Sequence, residues 1–283
     1  MQNLVSSTRI RCLCLVLMVA GTVVFAEETP VANDVEKQNI EAALKLTRES
    51  AAKYEMLIAG DSKALTLRPQ PILKWSNPEV GQIYGNVFVW TRGGRPEVVG
   101  SLFKWFSPFT HMSHEFHSLS RDELSGEYES HEVWKTPQSG VTFATVPEAG
   151  EVAATSTARI TQMRQLARQF SARSMSREGL KLELRQLTQP VYRYELDKDS
   201  GELLDGALFV FVQGTDPDVW LMLEARKPNG QAAAQWQYAI ARMNSIELTV
   251  EHRGQPVWHC DVMSFKDVGN HKLPYTSFRF NQP

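Results

Sequence analysis

Along residues 33–59 the apolar positions Ile40, Ala43, Leu44, Ala51, Tyr54 and Ile58, with Thr47 among them, recur at steps of three and four. That spacing lines one face of a helix. Asn33 with Glu36 three residues later fits a capping box, and Gly60 is placed to end the run. The pattern therefore predicts a long amphipathic N-terminal helix over 33–59. A second stripe, Ile160, Met163, Leu166, Ala167 and Phe170, predicts a helix over 156–177, stopped by Gly179. This helix is basic, with Arg159, Arg164, Arg168, Arg173 and Arg177.

Elsewhere the period changes to that of strands. Val87, Phe88, Val89 and Trp90 form a β-branched and aromatic run, Gly93, Gly94, Arg95 and Pro96 reverse the chain, and an apolar run over 98–106 returns it. The region 207–225 does the same around Gly214, Thr215, Asp216 and Pro217. Each hairpin leads through a third strand and a polar segment to a Val-Trp pair, Val133–Trp134 and Val257–Trp258. Phe88 precedes Trp134 by 46 residues and Phe209 precedes Trp258 by 49. Two similar β-meander stretches are expected, one over 80–134 and one over 180–280, joined by a Pro-, Gly- and Ser-rich loop over 135–155 and the basic helix. With no strand-helix-strand regularity, this order predicts an α+β fold of antiparallel sheets packed with the two helices, not a doubly wound nucleotide fold.

Residues 1–26 interrupt this scheme. Arg9 and Arg11 precede an apolar run that ends at Ala26, with Val24 and Ala26 at the third and first positions before the acidic Glu27. This is the pattern of a secretory signal peptide cleaved after Ala26. Its apolar core is short of the roughly 20 residues that span a bilayer. The expected mature chain, 27–283, is one co-folded unit outside the cytoplasm, periplasmic or extracellular, with no stable membrane anchor. It loses two Arg and no acid from a chain of net charge −2, reaching −4. Such a balance gives no global attraction to nucleic acid. Of three Cys only Cys260 remains, so no intramolecular disulfide is available and stability rests on the core.

Candidate chemistry is sparse. His111, His114 and His117 with Glu115 form the densest group of metal-ligand types, and zinc is the ion such donors suit. On a strand, however, His114 points away from the other two, and the His-Glu-x-x-His spacing is absent. Arg164 and Arg168, one helical turn apart, are placed to grip an anion or to lie on a solvated face. Glu195, Glu224, Arg226 and Arg242 are charges in strongly apolar sequence, where ions are paired across a pocket or across strands. Asp216 and Asp218 around Pro217 read as a turn. His259, Cys260 and Asp261 alternate across a strand and form no Cys-His pair. Phosphate-loop, dinucleotide-glycine, Gly-x-Ser-x-Gly and Cys-x-x-Cys motifs are missing.

The string FVFVQGTDPDVWLMLEAR over 209–226, with WQYAIARM over 236–243, HEFHSLS over 114–120 and RITQMRQLARQFSA over 159–172, resembles an uncharacterised family of exported bacterial proteins with no assigned function. The resemblance covers most of the mature chain and implies export and a single folded unit; it assigns no residue a role. The expected function is a non-catalytic binding or structural role without a cofactor. Its ligand would be a carbohydrate, an apolar molecule or a cell-envelope protein, with Trp90, Trp105, Tyr192, Tyr194, Trp220 and Trp236 as a stacking surface. The alternative is an exported, metal-assisted hydrolase built on the histidine cluster.

Overall fold

The structure is a computed structural model that describes residues 30–197, 201–227 and 233–280, with side chains from Asp34 onward. The expected export segment lies outside this description, and the N-terminal helix starts at Pro30, so Asn33, expected as its cap, falls within it. Among the described residues no helix is long and apolar enough to cross a membrane.

The first half begins with helix α1 (Pro30–Ala51) and strands β1 (Tyr54–Ile58), β2 (Thr66–Leu67) and β3 (Leu73–Ser76). The long hairpin β4 (Gln82–Arg92) and β5 (Arg95–Ser107) follows, then β6 (Met112–Ser118), the hairpin β7 (Leu124–Tyr128) and β8 (His131–Thr136), and β9 (Ala144–Thr145). The second half starts with α2 (Ser156–Ala167), β10 (Phe170–Met175), β11 (Lys181–Gln186) and β12 (Tyr192–Arg193). It continues through the long hairpin β13 (Leu203–Gln213) and β14 (Asp216–Arg226), then β15 (Gln235–Arg242), the hairpin β16 (Glu247–His252) and β17 (Gln255–Cys260), α3 (Phe265–Val268) and β18 (Tyr275–Phe280). With 49% strand against 14% helix, the chain is mainly antiparallel β with few helices.

Strand pairing runs in the same order in both halves. β4 pairs with β5, β5 with β6, β7 with β8, and β1 closes on β7; in the second half β13 pairs with β14, β14 with β15, β16 with β17, and β10 closes on β16. The register shifts coincide as well. Trp90 opposes Val98 and Thr91 opposes Pro96, while Phe211 opposes Val219 and Val212 opposes Pro217. Each half also lends its last strand to the other sheet: β9 adds beside β15, and β18 beside β6.

The two long hairpins are apolar throughout because both of their faces are covered. Val87, Val89 and Val99 meet Leu208, Val210, Trp220 and Met222 in one core shared by the halves. On the outer face of the first hairpin, Phe88, Trp90, Val98 and Leu102 pack with Ala51, Tyr54, Met56 and Trp134. On that of the second, Phe209, Phe211, Leu221 and Leu223 pack with Met163, Leu166 and Phe170. Strands buried on two sides lose the alternation of a half-exposed sheet.

Both helices are shorter than their apolar spacing predicts. α1 ends at Ala51 rather than 59, and Tyr54 to Ile58 form a strand in which Tyr54, Met56 and Ile58 are buried and Glu55 is exposed. α2 ends at Ala167 rather than 177, and Phe170, Ala172 and Ser174 are the buried positions of β10. Residues four apart share a side in a helix and in a strand alike, so Tyr54 and Ile58 fitted either period. The extended 60–79 connection carries β2 and β3, and the 135–155 loop carries β9.

Two glycines allow the short strands to cross the hairpins. Trp75 lies over Gly85, where an added Cβ would fall 2.1 Å from the indole, and Tyr194 lies over Gly206, where it would fall 2.3 Å from the phenol ring. Gly85→Ala and Gly206→Ala are each expected to cost about 1–3 kcal/mol through overpacking. An unchanged midpoint in urea would contradict this packing.

Candidate functional site

The turn between β4 and β5 brings Arg95 into the seam between the halves, where its charge is fully matched. Its Nε donates to Glu224 Oε1 at 2.8 Å and its Nη1 to Glu97 Oε2 at 2.8 Å, with further bonds to the Leu119 carbonyl. Arg226 Nε donates to Glu224 Oε2 at 2.7 Å, Tyr194 Oη donates to Glu224 Oε1 at 3.2 Å, and Arg121 lies 3.7 Å away. The Arg121 guanidinium stacks on the Phe143 ring at 3.9 Å. Burial pushes the Glu224 carboxyl up, but Arg95 and Arg226 outweigh it and the net shift is downward. This corner is filled by its own side chains.

The turn between β13 and β14 builds the matching corner from different residues. Counted from the shared bulge, Asp216 stands where Arg95 does and Asp218 where Glu97 does. The backbone agrees: Leu119 N donates to the Glu97 carbonyl and Met243 N to the Asp218 carbonyl. Two residues beyond these donors stand Arg121 and Ser245. Along the lent strands, whose registers are set by Thr145 opposite Gln237 and Arg279 opposite Ser113, Phe143 is matched by Ser277. Phe103 takes the position of Glu224. Replacing Arg and Phe by two serines leaves a cavity of about 440 Å³, lined by Phe103, Trp105, Phe109, His111, Glu115 and Phe265 together with Ser245 and Ser277, with Arg279 on its wall.

Three carboxyl groups gather at this corner. Glu115 is half-buried, and its Oε1 accepts from Ser277 Oγ at 3.3 Å. Burial, with Asp218 adding to it, pushes its carboxyl up to about 8. Asp218 is 1% exposed; its Oδ1 accepts from Asn244 Nδ2 at 2.7 Å, while its Oδ2 has no hydrogen-bond partner among the described residues. Burial raises it to about 6. Asp216 accepts from Asn77 Nδ2 at 3.3 Å and is held well above the ordinary carboxylate range by burial and then by Asp218 and Glu115. Among the described residues no Lys, Arg or His forms an ion pair with any of the three.

The expected histidine cluster does not converge. His111 and Glu115 line the cavity, but His114 faces the opposite side of β6, where its Nδ1 lies 2.7 Å from Tyr54 Oη and burial lowers it to about 3. His117 Nδ1 donates to the Ser118 carbonyl at 2.8 Å, and burial lowers its imidazole to about 4. Among the described residues no three His, Cys, Asp or Glu are arranged to hold a metal ion.

The four charges expected to share a pocket are spread over three places. Glu224 and Arg226 belong to the filled corner. Glu195 pairs with Arg68 beside a separate polar cavity near Gly93 and Gly94. Arg242 donates to the carbonyls of Asn244, Ile246 and Asp261.

On α2, Arg164 is half-buried and Arg168, exposed, caps its C-terminal end, where cations meet the negative end of the helix. Trp90, Trp220 and Trp236 fill the core, so of the expected stacking surface only Trp105 reaches this cavity. Cys260 is half-buried, and burial pushes its thiol up to about 11.

Two outcomes follow. Arg95→Met leaves Glu97 and Glu224 buried without their shared cation and should cost about 3–5 kcal/mol in urea denaturation; a loss below about 1 kcal/mol would show the guanidinium to be dispensable. Glu115, faced by Asp216, Asp218, Tyr275 and His111, keeps its proton in the folded state to a higher pH than in the unfolded chain. The resulting stability is full below about pH 4.5 and is lost as pH rises through 8. The stability of the parent relative to Glu115→Gln should therefore fall between pH 5 and 9, and parallel curves would refute the shift.

No family model matches the chain, and neither a curated protein nor a solved structure shows significant similarity to it.

Proposed function

We propose that the chain is an exported, non-catalytic binding protein, two similar β-meander units with their helices folded into one body, and that the open corner is where its ligand sits. The observation that carries this reading is the contrast between the corners. Arg121 and Phe143 close one, whereas Ser245 and Ser277 leave the other as a cavity with aromatic walls. A few polar groups converging within a largely aromatic hollow are what small-molecule sites present. The rim supports it too, since Phe109 is 52% and Phe265 83% exposed, an apolar surface left to water in the absence of a partner.

The reading is tested by closing the cavity with the residues of its counterpart. Ser245→Arg combined with Ser277→Phe should abolish saturation-transfer NMR signals from 2-phenylethanol and indole while leaving the melting temperature no lower. Equal signals from the parent and the double variant would place probe binding elsewhere and overturn the assignment.

A further inference from the structure

The filled corner also indicates what kind of group belongs in the open one. There, two carboxylates buried in the seam are neutralised by the Arg95 guanidinium, and a second guanidinium, that of Arg121, lies flat on an aromatic ring. In the open corner Asp218 keeps the place of Glu97 and Phe103 takes that of Glu224, while the positions of Arg95 and Arg121 carry no cation and Arg279 lines the cavity wall. Asp216 replaces Arg95, Ser245 replaces Arg121, and Glu115 is added where the second half carries Ala239. Among the described residues the Glu115 carboxyl takes its hydrogen bonds from hydroxyl groups, Ser277 and Tyr275, and the buried Asp218 Oδ2 behind it has no donor. Trp105, Phe103 and Phe109 supply rings against which a cation is favoured.

We propose that the ligand of this cavity carries an organic cation, a guanidinium or primary ammonium group, which binds against Glu115 with its apolar body between Trp105 and Phe109. The inference rests on the reading of the cavity as a ligand site and adds the charge of the ligand. Such a cation restores to the open corner the counter-charge that Arg95 supplies to the other. It also favours ionisation of Glu115, whose carboxyl stays protonated at neutral pH when the cavity holds no cation.

The test compares four probes of one shape on the chain 27–283 at pH 7.5 by isothermal calorimetry: phenethylamine, phenethylguanidine, 2-phenylethanol and 3-phenylpropionate. The two cations should bind at least about tenfold more tightly than the alcohol, as a charge-assisted contact gives. Binding of the cations should release part of one proton from Glu115, seen as a dependence of the heat on buffer ionisation enthalpy. Glu115→Gln should erase the advantage of the cations while leaving the alcohol unchanged. Equal affinity for alcohol and cations would overturn the cation inference and leave the cavity reading standing. Tightest binding of 3-phenylpropionate would overturn it in favour of the Arg279 rim. No binding of any probe, with no effect of closing the cavity, would overturn the underlying reading as well.

Discussion

The structure depends on four strands that are buried on both faces. β4, β5, β13 and β14 have no side to turn to water, so each hairpin needs an inner and an outer cover. The inner cover is the other hairpin, and the outer one is a helix with a small set of strands wrapped around it. Neither hairpin finds its inner cover without its counterpart. The halves therefore share one core, and the exchange of β9 and β18 between their sheets ties them further.

A seam of this kind makes any charge at the hairpin turns expensive. Removing a carboxylate from water costs several kcal/mol unless a counter-charge and hydrogen bonds replace the solvent. Arg95 provides both for Glu97 and Glu224. At the matching turn no cation among the described residues pairs with Glu115, Asp216 or Asp218, and burial raises all three carboxyl groups above their ordinary range. One corner is thus complete within the chain, while the other has space, aromatic walls and acidic groups left over. Perturbed carboxyl groups beside a cavity are where binding chemistry concentrates.

Much of the scaffold is readable from local pattern. The Gly-Gly-Arg-Pro and Gly-Thr-Asp-Pro sequences mark both long hairpins, but Asp216 and Asp218, expected in a turn, open strand β14 directly after the turn at Gly214 and Thr215. Helix ends are not readable, because only two residues separate β1 from α1 and β10 from α2, with no Gly or Pro among them and with apolar steps that suit both periods. The site is the least local feature. Glu115 meets Ser277 across 162 residues, and the cavity exists because Ser245 and Ser277 are small where Arg121 and Phe143 are large. A sign was available in the aligned hairpins, in the exchange of Arg95 for Asp216 beside a shared proline. The histidines drew attention by crowding along the chain, yet strand alternation sends His114 to the far face, where Tyr54 occupies its Nδ1.

The asymmetry of the two corners is measured most directly by thiol labelling. With the native cysteines replaced by serine, Ser245→Cys should react readily with methanethiosulfonate reagents, and the ethylammonium reagent should outpace the ethylsulfonate one by more than the ratio found for an exposed Ser130→Cys control. Slow reaction with both, or a preference for the sulfonate, would contradict an open corner in which the carboxyl groups dominate.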